Sequence, residues 1–170
     1  MTMALPASPP APASSAALDQ VLRIVIVLFG AIEGILHFSD LSILLGGRPG
    51  DPVLLATAAL HPILGFAAVG FALAKKLRLG IATLAVLALA QWASDAPPII
   101  SDGVTFSASA FLNADAIFRS FIQPVIGCGA IAAAWFNRHL TAATLAVTLP
   151  TLANVAGIAA FAIGVIMYGF

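Results

Sequence analysis

The chain has 170 residues, 61% hydrophobic and 8% charged, with seven basic and seven acidic side chains that balance to zero formal charge. A soluble domain carries about 25% charged residues, so this composition excludes a water-facing globular enzyme, a disordered regulator and a nucleic-acid binder, which needs a basic face. A single cysteine, Cys128, excludes an internal disulfide and any cysteine-rich metal cage.

In chain order, residues 1–18 are small and uncharged, with Pro6, Pro9, Pro10 and Pro12. No Lys or Arg precedes an apolar core here, so the segment does not read as a signal peptide. It is expected to be a disordered tail, because it has too little apolar surface to offset the entropy of ordering. Residues 19–170 are expected to form one transmembrane domain. Five apolar runs make it up: 21–38; 53–74, ending at Lys75-Lys76-Leu77-Arg78; 79–96, ending at Pro97-Pro98; 113–136, stopping at Asn137-Arg138-His139; and 140–168, interrupted by Pro150. About 20 apolar residues cross a hydrocarbon core as a helix. Backbone polar groups in lipid must be satisfied internally, and no alternating ten-residue pattern suggests barrel strands. The fold class is therefore all-α, a polytopic transmembrane bundle of five helices, with four as the alternative count. The connection 39–52 is turn-rich. The connection 97–112 is long enough to lie along the surface or fold back as a lid.

The basic residues divide unevenly between the two sides. Arg23, Lys75, Lys76, Arg78 and Arg138 fall on the side of the N-terminus, leaving Arg48 and Arg119 toward the other. Asp40, Asp51, Asp95, Asp102 and Asp115 take the opposite side, and only Asp19 joins the basic one. The positive-inside rule then places the N-terminus in the cytoplasm and the C-terminus outside a cell membrane, an inner membrane in a bacterium.

Ionisable groups within a bilayer cost several kcal/mol each, roughly 3 on insertion scales, and need a reason. In the first run Glu33 and His37 are four apart and Asp40 three further, a spacing that puts all three on one helical face. Gly30 and Gly34 form a G-x-x-x-G pair that admits a second backbone. The second run carries His61-Pro62, on the order of 12 Å deep, where Pro62 should kink the helix. The third carries Gln91 and Asp95. The fourth carries Asp115 and Arg119, with Gln123-Pro124 a turn deeper. With that topology Glu33, His37, His61, Gln91, Asp95, Asp115 and Arg119 all lie in the outer half, and together they read as one polar chamber open to the outside.

Each group also has a plainer reading. Asp115 and Arg119 suit a self-neutralising intrahelical pair, and Asp40 and Asp95 suit solvated helix ends. The imidazole of His61 can satisfy the carbonyl freed by Pro62, and Glu33 can be a protonated carboxyl bonded across a helix pair. Glu33, His37 and His61 are also the one set suited to a metal such as Zn²⁺ or Fe²⁺, and His37 with His61 to a haem. Cys128, between Gly127 and Gly129, reads as a packing residue. Trp92, Trp135 and Tyr168 read as interfacial anchors. Pro150 with Asn154 reads as a kink whose freed backbone groups find a side-chain partner. Small-residue faces, Gly30/Gly34 and Ala153/Gly157, are expected to pack the helices.

Two stretches carry a family resemblance. Leu22-Arg23 followed by a Gly-bearing helix ending in Gly34-Ile35-Leu36-His37-Phe38 resembles the first helix of DoxX-like membrane proteins. Residues 61–92 are similar to their second and third helices joined by a short basic turn, with a looser likeness over 125–140. The resemblance implies a small helical-bundle protein acting as an accessory subunit of a membrane redox system, such as quinone-linked sulfur oxidation. The leading expectation is thus an accessory subunit of a redox or transport complex. It would be embedded in lipid, with other membrane subunits or copies of itself as partners and no nucleic acid, and it would not itself be an enzyme. Two alternatives stand beside it. One is a small proton-coupled carrier or binding protein, with Glu33 as the protonatable group and His61 its partner. The other is a membrane metal- or haem-binding protein. No cofactor is specified by these residues.

Overall fold

The computed structural model describes residues 13–41, 52–107 and 109–169. They form five helices: α1 (Ala13–Leu36), α2 (Pro52–Leu73), α3 (Leu77–Asp102), α4 (Ala110–Phe136) and α5 (Leu140–Tyr168). No strand occurs among the described residues. The chain is an all-α bundle. α1, α3, α4 and α5 are each long and apolar enough to cross a membrane, while the described apolar stretch of α2, Ala58–Leu73, is shorter.

Each helix packs on the next in sequence, and α1, α3 and α5 also meet one another. The α1–α2 contact is the closest, and glycine makes it possible. A Cβ added at Gly65 would stand 2.6 Å from the Gly34 backbone nitrogen and 2.9 Å from the Gly30 carbonyl oxygen. The G-x-x-x-G pair of α1 therefore meets a third glycine on α2, backbone to backbone. Gly127 on α4 instead makes room for a side chain of α3: a Cβ there would lie 2.6 Å from the Leu89 side chain. The second expected small-residue face is not used in this way: Gly157 has nothing within 4 Å of where its Cβ would be. The exposed thiol of Cys128 likewise corrects its assignment as a packing residue. Gly127 faces α3, and the next position on the helix turns outward.

The turns at one end are built by left-handed residues. Lys75 has φ 61°, its amide donates to the Ala72 carbonyl, and the Lys76 amide donates to Phe71, the paired closure of a Schellman motif. Asn137 (φ 54°) ends α4, with the Arg138 amide donating to Ala133. Arg78 then ties the two turns together: its Nε donates to the Ala134 carbonyl at 2.6 Å and its Nη2 to Trp135 at 2.7 Å. A cation on the last carbonyls of α4 also suits the negative end of its dipole. Asp19, Lys75, Arg78, Asn137 and Leu140 border one groove here, so they mark a common, basic end. Asp102 lies at the opposite end of α3.

Three boundaries differ from expectation. α1 begins at Ala13, inside the segment expected as tail, while residues 1–12 lie outside the described residues. It ends at Leu36, and Asp40 falls in a short 3-10 turn, Phe38–Asp40, rather than on the helix. α3 does not stop at Pro97-Pro98 but runs to Asp102, where Gly103 (φ 76°) closes it. Proline's fixed φ suits a helix, and its cost lies in the missing N–H and the carbonyl it frees. Both prolines are exposed near the acidic end, where an open cavity reaches Ser94. The connection expected over 97–112 is accordingly 103–109, pinned by Asn113, which accepts from the Ser107 amide at 2.7 Å and donates to the Ser107 carbonyl at 3.0 Å. Most of the 39–52 connection lies outside the described residues, as do Asp51 and Arg48.

Candidate functional site

Helix register brings the polar groups to one depth. Glu33, Gln91 and Asn154 each stand fourteen residues along from Asp19, Leu77 and Leu140, all of which border the basic-end groove. At 1.5 Å per residue that is about 21 Å, close to the middle of α3 and α5. The three helices run in the same direction and touch, so their side chains at this depth converge.

Glu33 is the hub. It is 1% exposed, and its carboxylate is ringed by donors from α3, from α5 and from the turn that follows α1. Gln91 Nε2 donates to Oε2 at 3.0 Å, and Asn154 Nδ2 donates to Oε1 at 3.4 Å. His37 Nε2 lies 3.3 Å from Oε2. Thr151, one turn before Asn154 on α5 and buried, neighbours the carboxylate. A carboxylate buried without such donors would be prohibitively costly. The glycines that let α2 press against α1 bring up the next layer: the His61 ring meets the His37 ring edge-to-face, with centroids 4.8 Å apart.

On its other side the hub reaches an ion pair. Arg119 Nε donates to Asp115 Oδ2 at 2.8 Å, and Arg119 Nη2 donates to Asn154 Oδ1 at 2.9 Å. Asn154 thus donates to Glu33 with its amide nitrogen and accepts from Arg119 with its oxygen, joining the two charged groups through one side chain. Arg119 sits in a π-helical turn, Phe118–Ile122, that interrupts α4. Pro124 cannot donate to the Ser120 carbonyl one turn back, and the indole N–H of Trp92 donates to it instead at 3.3 Å. Trp92 is therefore an α3–α4 lock rather than an interfacial anchor, whereas Trp135 is 77% exposed at the basic end. Gln123, fully buried, fastens the same pair of helices by donating to the Ala88 carbonyl at 2.8 Å.

Beyond Arg119 opens a cavity of about 600 Å³ at the acidic end, lined by Asp95, Asp102, Asp115, Arg119, Ser94 and Ser120 among others. Three carboxylates face one guanidinium across it, so its field favours cations. Of the seven residues singled out from the sequence, Glu33, His61 and Gln91 are buried and form one cluster with the partly exposed His37. Asp115 and Arg119 join it through Asn154. Asp95 lines the cavity without touching the cluster. The sequence reading missed Thr151 and assigned Asn154 to the Pro150 kink. The available signal was an amide in the middle of an apolar span, as costly to bury there as Gln91.

The suggested metal set does not assemble. Among the described residues no three His, Cys, Asp or Glu side chains come together as a metal-holding group. The His37 and His61 rings are in direct contact, which leaves no room between them for a haem macrocycle. No protein-family model matches the chain, nor does any curated protein or solved structure.

Proposed function

We propose that this chain is a small proton-coupled carrier or binding protein of a cell membrane, with a chamber open at the acidic end and Glu33 as its proton-accepting group. The observation that carries this reading is the continuous connection from the cation-favouring cavity through Arg119 and Asn154 to a fully buried carboxylate. Ionised, Glu33 accepts from Gln91 and Asn154 and so draws α3 and α5 to α1. Protonation removes the charge that those donors solvate, and the hold on α5 weakens. Proton binding is in this way coupled to helix packing around the cavity. His37, between Glu33 and His61, extends the protonatable set toward α2. The test is proton entry into proteoliposomes, read by an enclosed pH-sensitive dye, with methylammonium as the cation probe. Glu33→Gln, close in shape and unable to ionise, is expected to lose coupled flux while staying folded. Full retention of flux would overturn the assignment.

An accessory role in a redox or transport complex is the second reading. The DoxX-like resemblance over residues 21–92 supports it, as does the open space over Gly157 and Gly164 on α5, which suits close approach by another transmembrane helix. Blue-native electrophoresis in mild detergent is expected to show a larger assembly, and a strictly solitary protein would count against it. In either role we place the basic end in the cytoplasm of an inner-membrane protein. Impermeant thiol labelling of Lys75→Cys and Asp102→Cys from opposite sides of the membrane checks this.

A further inference from the structure

The basic end carries a second site, independent of the Glu33 cluster. Between the start of α3 and the end of α4 runs a groove of about 580 Å³, with Lys75, Lys76 and Arg78 at its mouth and Leu79, Ala82 and Ile131 along its wall. Lys75 and Lys76 are exposed and have no acidic partner among the described residues. Asp19, at the same mouth, is taken by Arg23 at 2.9 Å. Arg78 has five N–H donors, of which two are committed to the ends of α4. The groove therefore joins a cluster of unpaired cationic donors to an apolar trough that descends alongside the helices, with the exposed indole of Trp135 on its rim.

We infer that this groove binds an anionic phospholipid of the adjoining leaflet, its phosphate against Lys75, Lys76 and the spare donors of Arg78 and an acyl chain along Leu79, Ala82 and Ile131. Charge complementarity selects the headgroup, because a zwitterionic lipid offers the same phosphate but brings a cation to an already cationic mouth. The apolar wall selects a lipid over free phosphate, which has nothing to place there. Basic pockets between transmembrane helices at a cytoplasmic surface are suited to such headgroups, at about 1 kcal/mol per Lys or Arg near the surface.

The test is native mass spectrometry of the full chain released from mixed phosphatidylglycerol and phosphatidylcholine vesicles, reading which lipid is retained. The wild type is expected to retain phosphatidylglycerol preferentially. The double variant Lys75→Asn/Lys76→Gln keeps the turn, since Asn tolerates the left-handed backbone at position 75. It is expected to lower that preference roughly 30-fold, the two-lysine contribution converted at the cited energy per charge. Ala82→Phe, which fills the trough without touching charge, is expected to lower retention as well. Arg138→Gln removes a cation at the same end but outside this groove and is expected to lower the preference by much less than the double variant. An equal loss in Arg138→Gln, or no loss in Ala82→Phe, would mean diffuse surface attraction and overturn the site. Displacement of the lipid by millimolar inorganic phosphate would likewise overturn it, in favour of a phosphate site.

Discussion

Toward the basic end the helices meet through Leu22, Ile26, Ile81, Leu84 and Val147, all buried side chains of one aliphatic cluster. From the depth of Glu33 toward the acidic end they meet through Glu33, Gln91, Asn154 and Arg119, whose bonds cross from helix to helix. The two regions share a chain and a bundle, yet their contacts differ in what they can specify. In lipid an aliphatic side chain finds apolar neighbours whichever way its helix is turned, so packing alone fixes rotation weakly. A buried carboxylate on one helix with donors on two others accepts few rotations. The aliphatic half holds the bundle together, and the polar layer sets which faces look inward.

The glycine seam that brings α2 against α1 should be the most sensitive point of all. Gly65→Leu would drive a side chain into the Gly34 and Gly30 backbone and is expected to cost about 3 kcal/mol or more, read as loss of a monodisperse folded species in detergent. Next, Glu33→Ala strands the donors of Gln91 and Asn154 and is expected to cost about 3 kcal/mol in thermal unfolding. A smaller loss, about 1 kcal/mol, is expected for Ile26→Val in the aliphatic half. If Ile26→Val proved as damaging as Glu33→Ala, the contrast between the two halves would fail. Trp92→Phe, which removes the donor to the Ser120 carbonyl, is also expected near 1 kcal/mol. The indole's lost bulk adds to the lost bond, and both should act at the α3–α4 contact, visible as faster amide exchange around the π turn. The smallest effect belongs to Gly157→Ala, with open space at its Cβ, expected within about 0.5 kcal/mol of wild type in the isolated protein.

The five helices were legible in the sequence because apolar runs of spanning length, broken by Lys75–Arg78 and Asn137–His139, leave little other choice. The end of α3 was not, because Pro97-Pro98 reads as a stop, whereas both prolines lie exposed and the carbonyl freed at Ser94 borders a cavity between α3 and α4 that span lengths do not foretell. The same distinction divides the site. Glu33 stood out as an acid within an apolar span and His61 as an imidazole on the order of 12 Å deep. That Asn154 is the residue linking Glu33 to Arg119 depends on the rotation of α5 and on the shared fourteen-residue register of α1, α3 and α5, neither of which follows from span lengths. The edge-to-face contact of His61 with His37 depended similarly on how closely Gly65 lets α2 approach.

Proximity of Glu33 and Asn154, 121 positions apart in the chain, is what joins the hub to the cavity. Both can be replaced by cysteine in a Cys128→Ser background and treated in native membranes with a short bis-maleimide. The Glu33→Cys/Asn154→Cys protein is expected to form an intramolecular crosslink, while Glu33→Cys/Gly164→Cys, more than two turns further along α5, is expected to form none. Absence of the first crosslink, or equal yield from both pairs, would contradict a polar layer shared by these helices.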